Sequence, residues 1–459
     1  FGLDVVYYGL RRSKFDTRDA EVLGMLDPFV DLAGNALYSR YNSVITLGCK
    51  IWTMLVRLPL PSIAPGVPVV IKRLFAIFRQ SSSTNSEMIQ SCFKLLASVL
   101  RSKAAEDLMA GDNPKTAKDA KEKKKAASSK SLLTEEQLRD LIDFVRPDIE
   151  EPERQATAFN LIRAILTRRL IVDSLYTLLD TVRSLMITAQ ADNMRELCRL
   201  TWFQFLMDYP LGQRRLANAM SFIVQNATGY EFESGRTSAL EIMGVIVSKF
   251  ADEILLPTAA EPFFLGLVLI IAQDDSPKCR EMATHLLPTL VARFDAQRLK
   301  RAWILLDQWS EGTAQSAGIV LEEEVESGKQ AKVRQIKMRE LGRAALQCYG
   351  IIAEPLGDRF TARVPALLAS LDSALTISLR SWKQAEAQLN TATLAMISSE
   401  DDPQRTALVY WETAYAALNT FARFVSAPMY PTQWCRVDEH RRARIWLLAM
   451  QHLTHPHAW

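Results

Sequence analysis

An all-α fold of repeated helical hairpins is what this sequence predicts, and three observations carry the prediction. Four arginines recur at a nearly constant interval: Arg154 to Arg195 is 41 residues, Arg195 to Arg236 is 41, and Arg236 to Arg280 is 44. The residues after each arginine repeat one apolar stripe, and no period-two alternation runs long enough to make a sheet. Intervals of about 40 to 47 residues are those of HEAT and armadillo units, in which a helical hairpin stacks on its neighbours because it cannot bury its apolar face alone. The expected architecture is therefore a HEAT/armadillo-like α-solenoid.

The stripe is explicit when the arginines are aligned. Three residues on stand Thr157, Cys198, Ala239 and Ala283, and seven on stand Leu161, Trp202, Met243 and Leu287. Ten on come Ala164, Phe205, Ile246 and Leu290; eleven on come Ile165, Leu206, Val247 and Val291. Offsets of 3, 7, 10 and 11 share one side of an α-helix, so each arginine begins a helix with the same buried face. Each of these helices follows another amphipathic segment: "EEQLRDLIDFV", "DSLYTLLDTVRSLMI", "LGQRRLANAMSFIVQNA" and "DEILLPTAAEPFFLGLVLIIA". Two helices per unit follow, and Pro288 is expected to bend the last arginine helix.

A cation in a helix's first turn is slightly unfavourable, because the positive end of the dipole lies there. Acids stand close by: Glu151, Asp192 and Glu233 lie three residues before their arginines, and Asp274 and Asp275 slightly before Arg280. A carboxylate of the same or the adjacent repeat can offset the poor position, making Arg154, Arg195, Arg236 and Arg280 a structural ladder. The other reading aims them at phosphate.

Outside this stretch the pattern weakens without vanishing. "PFVDLAGNALYSRYNSVITLGCKIWTMLVRLPLPSI" and "PVVIKRLFAIFRQSSSTNSEMIQSCFKLLASVL" read as two earlier hairpins. "AKVRQIKMRELGRAALQCYGIIAEPL", "VPALLASLDSALTISLRSW" and "PQRTALVYWETAYAALNTFARFV" supply later helices. Two stretches interrupt: a lysine-, alanine- and serine-rich one read as an exposed linker or lone solvated helix, and a later one with an acidic cluster. The expected organisation is N-terminal repeats at 1–102, the lysine-rich insertion at 103–131, the repeats of period about 41 at 132–309, the acidic insertion at 310–332, and C-terminal repeats at 333–459.

Composition agrees with a packed core, at 48% hydrophobic and 23% charged residues. The net charge of +3 is too small to announce a nucleic-acid binder, although a local basic patch can hide in it. Six cysteines, never closer than 43 residues, form neither a zinc motif nor a disulfide framework and are expected to be reduced, buried thiols. The apolar run at 262–272 is too short to cross a bilayer and reads as a buried helix. A chain opening on "FGLDVVYYGLRR" reads as a piece of a longer protein.

Catalytic constellations are thin. The phosphate-loop, dinucleotide and nucleophile-elbow patterns do not occur. The tail "HLTHPHAW" holds His452, His455 and His457, but no cysteine or carboxylate joins at ligand spacing, so no metal site or cofactor is expected. Glu322, Glu323, Glu324 and Glu326 read as a solvated charge run. Surface remains. Lys332, Arg339 and Arg343 share one helical face, with Arg334 and Lys337 nearby, a stripe that suits either a phosphate backbone or the solubilising outer face of a solenoid. Arg441, Arg442 and Arg444 adjoin Trp446, a mixture fit for RNA by charge and stacking, or else a charged flank around a core tryptophan. The run "KEKKK" at Lys121 to Lys125 suits nuclear import, RNA or a plain linker.

The segment Phe144, Val145, Arg146, Pro147, Asp148, Ile149, Glu150, with "LMDYP" at 206–210 and "YEFESGR" at 230–236, resembles the down-regulated-in-metastasis family, the very large helical-repeat component 20 of the small-subunit processome. The clear match runs from about Leu133 to Asp295. The resemblance implies a fragment from the C-terminal part of a nucleolar scaffold of the early small-ribosomal-subunit precursor. Its implied partners are pre-rRNA, the small nucleolar ribonucleoprotein that organises 18S rRNA processing and other processome proteins, with no membrane, small-molecule substrate or catalysis. Two other readings fit the periodicity: a protein-binding adaptor such as a nuclear-transport factor, and a helical regulatory region of a larger enzyme.

Overall fold

Hairpins of α-helix make up the computed structural model, which describes residues 2–81, 87–110, 132–209, 211–310, 328–392, 403–426 and 434–453. Among the described residues there is no strand. The chain divides into two compact units, Phe1–Leu211 and Gly212–Trp459. Each unit is an all-α, HEAT-like stack.

In the first unit α1 (Gly2–Arg11) and α2 (Ala20–Leu26) precede four hairpins: α3 (Pro28–Ala36) with α4 (Asn42–Leu55), α5 (Ile63–Gln80) with α6 (Glu87–Arg101), α8 (Glu135–Val145) with α9 (Gln155–Thr167), and α10 (Asp173–Thr188) with α11 (Asp192–Asp208). The second helices form a continuous row, α4 on α6, α6 on α9 and α9 on α11. Gly48 lets α4 press on α3, since a Cβ there would lie 2.9 Å from the Ala36 Cβ and 3.0 Å from the Ala33 carbonyl oxygen. The start of the expected lysine-rich insertion is the helix α7 (Lys103–Ala110), which packs on α5 and α6 with Ala105 buried. A capping box opens α8: Thr134 Oγ1 accepts from the Gln137 amide while Gln137 Oε1 accepts from the Thr134 amide.

The second unit pairs α12 (Gln213–Gly229) with α13 (Glu233–Lys249), and α15 (Ala260–Gln273) with α16 (Pro277–Ala292). The segment expected as one helix before Arg280 is two, α14 (Asp252–Thr258) and α15, meeting at 61°. Pro257 removes an amide from the first, and Ala259 (φ −123°) makes the break. The helix α16 runs through Pro288 to Ala292. Then follow α17 (Ala296–Ser310), α18 (Gly328–Leu356), α19 (Val364–Ala392), α20 (Pro403–Ser426) and α21 (Glu439–His452). Trp303 of α17 stacks on Tyr349 of α18 at 5.7 Å, and the Arg363 guanidinium lies 5.4 Å above the same indole. The run Leu341–Arg380 is long and apolar enough to span a bilayer, at mean hydropathy 1.2. It is broken by the 3-10 segment Gly357–Arg363, where Gly357 takes φ +50° and the chain exposes Asp358 and Arg359.

All sixteen aligned stripe positions are buried, none above 8% exposure. Two further sequence readings fail. Trp446 is 43% exposed rather than core, because Ile445, Leu448 and His452 turn α21's buried face the other way; its ring only meets Phe421 edge-on. Cys435 is exposed, standing in the turn before α21, while the other five thiols are buried.

Candidate nucleic-acid interface

Three of the four periodic arginines share a local geometry. Arg195 stands in the first turn of α11 and folds its guanidinium back over the end of α10, donating to the carbonyls of Ala189 (2.6 Å) and Gln190 (2.8 Å). Arg236 does the same from α13 to the end of α12, on Tyr230 (3.0 Å) and Glu231 (2.9 Å). Arg280 reaches the Asp274 carbonyl at the end of α15. Each carbonyl lies six or five residues before its arginine, at the C-cap of the preceding helix or just beyond it. This accounts for a cation at a helix N-terminus: the same position is the negative C-terminal end of the preceding helix, where orphan carbonyls need donors. Arg154 departs from the pattern by standing as the N-cap of α9 instead of inside its first turn, because the connection from α8 is longer. It still reaches six residues back, but to the buried Asp148 side chain, at 2.6 Å.

Carboxylates gather at these turns unevenly. Arg195 pairs with Asp192, and Arg154 has Glu151 at 3.6 Å. Arg236 instead forks onto Asp274 of the next repeat (2.9 and 3.0 Å), which also accepts from the Ser276 amide at 2.8 Å. Glu233 accepts from the Ser276 hydroxyl at 2.8 Å. Arg280 makes no ion pair among the described residues.

A second set of arginines, not anticipated from sequence, closes the other end of the hairpins. Arg168 at the end of α9 donates to the carbonyls of Leu100 and Ser102 at the end of α6. Arg293, the C-cap of α16, meets Val247 and Phe250 at the end of α13, and Arg359 meets Ala292 and Phe294 at the end of α16. The signal was present: Arg168 and Arg293 fall 14 and 13 residues after Arg154 and Arg280, just past the last apolar position of their helices.

The basic stripe Lys332, Arg334, Lys337 and Arg339 belongs to α18, and its side chains lie outside the described residues. Arg343, one turn on, pairs with Glu412 of α20. On α21 the Arg441 amide caps onto Asp438, Arg444 pairs with Asp372 of α19 at 2.6 Å, and the Arg442 Nε is buried with no hydrogen-bond partner. Arg280 and Arg343 are brought together in one groove of about 540 Å³, with Asp274, Asp275, Trp411 and Tyr415 in its wall. The acids there offset the cations, so the groove has no excess of positive charge. His452 is buried with Nδ1 2.8 Å from the Leu448 carbonyl, and burial lowers its pKa. His455, His457, the lysines at 121–125 and the glutamates at 322–326 lie outside the described residues. Among those described, no group of three or more His, Cys, Asp or Glu residues is placed to hold a metal.

No family model matches the chain. It is 26% identical over 431 residues to U3 small nucleolar RNA-associated protein 20 of Schizosaccharomyces pombe, covering 94% of this chain and 14% of that protein. It is 25% identical over 435 residues to the protein of the same name from Saccharomyces cerevisiae, covering 95% and 14%. The chain thus spans about 14% of the length of the curated relatives it matches. The similarity extends far beyond the stretch from Leu133 to Asp295 and takes in both flanks.

Proposed function

We propose that this chain is a scaffold segment in early assembly of the small ribosomal subunit, acting in the nucleolus and holding pre-rRNA and assembly factors of the processome without turnover. The observation that carries the reading is the similarity, along 94% of the chain, to proteins named for association with U3 small nucleolar RNA. The fold supports it: stacked hairpins add surface with every unit while each buries its stripe against its neighbours, which suits a protein that docks partners side by side. On this reading the helix α18 offers Lys332, Arg334, Lys337 and Arg339 to phosphate, and the stretches 103–131 and 310–332 are insertions between repeats.

Charge reversal at Lys332, Lys337 and Arg339 together tests it. Loss of three phosphate contacts should reduce the log–log salt slope of single-stranded RNA binding by about 2. Crosslinking in cells should recover pre-rRNA on α18. Recovery of cargo proteins without RNA would replace the scaffold reading with that of a protein-binding adaptor.

A further inference from the structure

A cleft of about 840 Å³ opens in the first unit, between the connection from α4 to α5 and the end of α6 with the start of α7. Its wall holds three cations, Arg57, Arg101 and Lys103, against one carboxylate, Asp107. Arg163 of α9 and that helix's C-cap, Arg168, stand close by, the first near Arg101 and the second on the Leu100 and Ser102 carbonyls. Desolvation holds the Arg101 pKa below its ordinary value, and the charges of Arg163 and Arg57 lower it further, so these groups are close enough to repel.

What holds these cations is neutral. Arg101 donates to the Asn160 side-chain oxygen (2.5 Å) and carbonyl (2.7 Å), Arg163 to Gln204 Oε1 (3.1 Å), and Arg168 to the two carbonyls closing α6. The side chains of Arg57 and Lys103 make no hydrogen bond or ion pair among the described residues. Elsewhere the repeats balance such charges with acids, as in Arg154 with Asp148, Arg236 with Asp274 and Arg293 with Asp252. Here the fold orients guanidinium groups and leaves positive charge in excess, three cations to one carboxylate, along the wall. Several cations in one cleft match a chain of phosphates better than a lone anion, and Asn160 holds the Arg101 guanidinium in place among them. Leu58, Pro59 and Pro61 line the floor with no aromatic ring, which favours contact with sugar and phosphate over stacking on bases.

We propose that this cleft binds the phosphodiester backbone of single-stranded RNA through Arg57, Arg101 and Lys103. The assignment rests on the RNA-scaffold reading above and adds to it a contact point in the first unit, independent of α18.

The test is fluorescence anisotropy of a labelled oligouridylate with the intact chain and with the double variant Arg57→Glu/Lys103→Glu, across a salt titration. Both residues are exposed, so circular dichroism and the urea midpoint should be unchanged. Affinity should fall about tenfold or more, and the log–log salt slope should shrink by about 1.4 for two lost contacts. Arg57→Gln/Lys103→Gln, which removes the same two contacts without adding repulsion, should show the same slope change of about 1.4 with a smaller loss of affinity. Unchanged affinity and slope in folded variants would overturn the cleft. The α18 triple variant runs in parallel. Loss there alone retains the scaffold reading without this cleft, and a wild-type chain that binds no RNA defeats both. Displacement of the oligonucleotide by poly-glutamate at equal charge concentration would assign the cleft to acidic polypeptide and overturn RNA as its occupant.

Discussion

Replacing Arg236 by alanine isolates the worth of a turn arginine. Its guanidinium forks onto Asp274 at 2.9 and 3.0 Å and spans the carbonyls of Tyr230 and Glu231 at 3.0 and 2.9 Å. The Asp274 side chain is 4% exposed and that of Arg236 14%, so removal of the cation strands a buried carboxylate that keeps the Ser276 amide. Stranding one member of a buried pair costs about 3 to 5 kcal/mol, and the water that reaches Arg236 argues for the lower end, about 3 kcal/mol. Arg236→Lys should recover less than half, since one ammonium cannot fork onto the carboxylate and span two carbonyls together. The double variant Arg236→Ala/Asp274→Asn should be more stable than Arg236→Ala by about 1 to 2 kcal/mol, because no charge is stranded. Urea unfolding followed by circular dichroism reads the size, and hydrogen exchange over α13 and α16 reads the place. A loss under about 0.5 kcal/mol, or strict additivity in the cycle, would refute the account.

Three further outcomes follow from packing and burial. Gly48→Ala should cost about 1 to 3 kcal/mol, because backbone of α3 blocks the new methyl; Gly244→Ala meets only the Leu286 side chain and should be near neutral, and equal urea midpoints would contradict this. Ellman's reagent should modify Cys435 quickly and the five buried thiols only on unfolding, Cys198 among them with its pKa raised to about 12 by burial; a second fast equivalent would contradict the packing. For His452, burial puts the folded pKa below the ordinary 6.5, so the unfolded chain takes up that proton first as pH falls. Stability is therefore retained above about pH 6.5 and lost progressively below it, and His452→Gln should flatten that limb of the urea-midpoint profile.

The repeat was legible because burial imposes a period: sixteen positions read from four arginines are all inside. The break between α14 and α15 was not, since the apolar pattern continues across Pro257 and only the backbone records the 61° turn. The core reading of Trp446 fails because a charged neighbourhood does not tell which flank of a last helix is covered. The turn arginines were found by spacing, but their acceptors are mostly main-chain carbonyls, and carbonyls carry no sequence signal. The cationic cleft escaped for a related reason: Arg57, Arg101 and Arg163 lie 44 and 62 residues apart along the chain and meet only through stacking.

The carbonyl half of the arginine clasp is set within its own hairpin, six residues back, even where a carboxylate of the next repeat joins it. A repeat can therefore lengthen elsewhere, as the 44-residue step from Arg236 to Arg280 does beside the 41-residue steps, and still arrive at its bend with the same lock. Such an array tolerates drift in unit length so long as each corner stays intact.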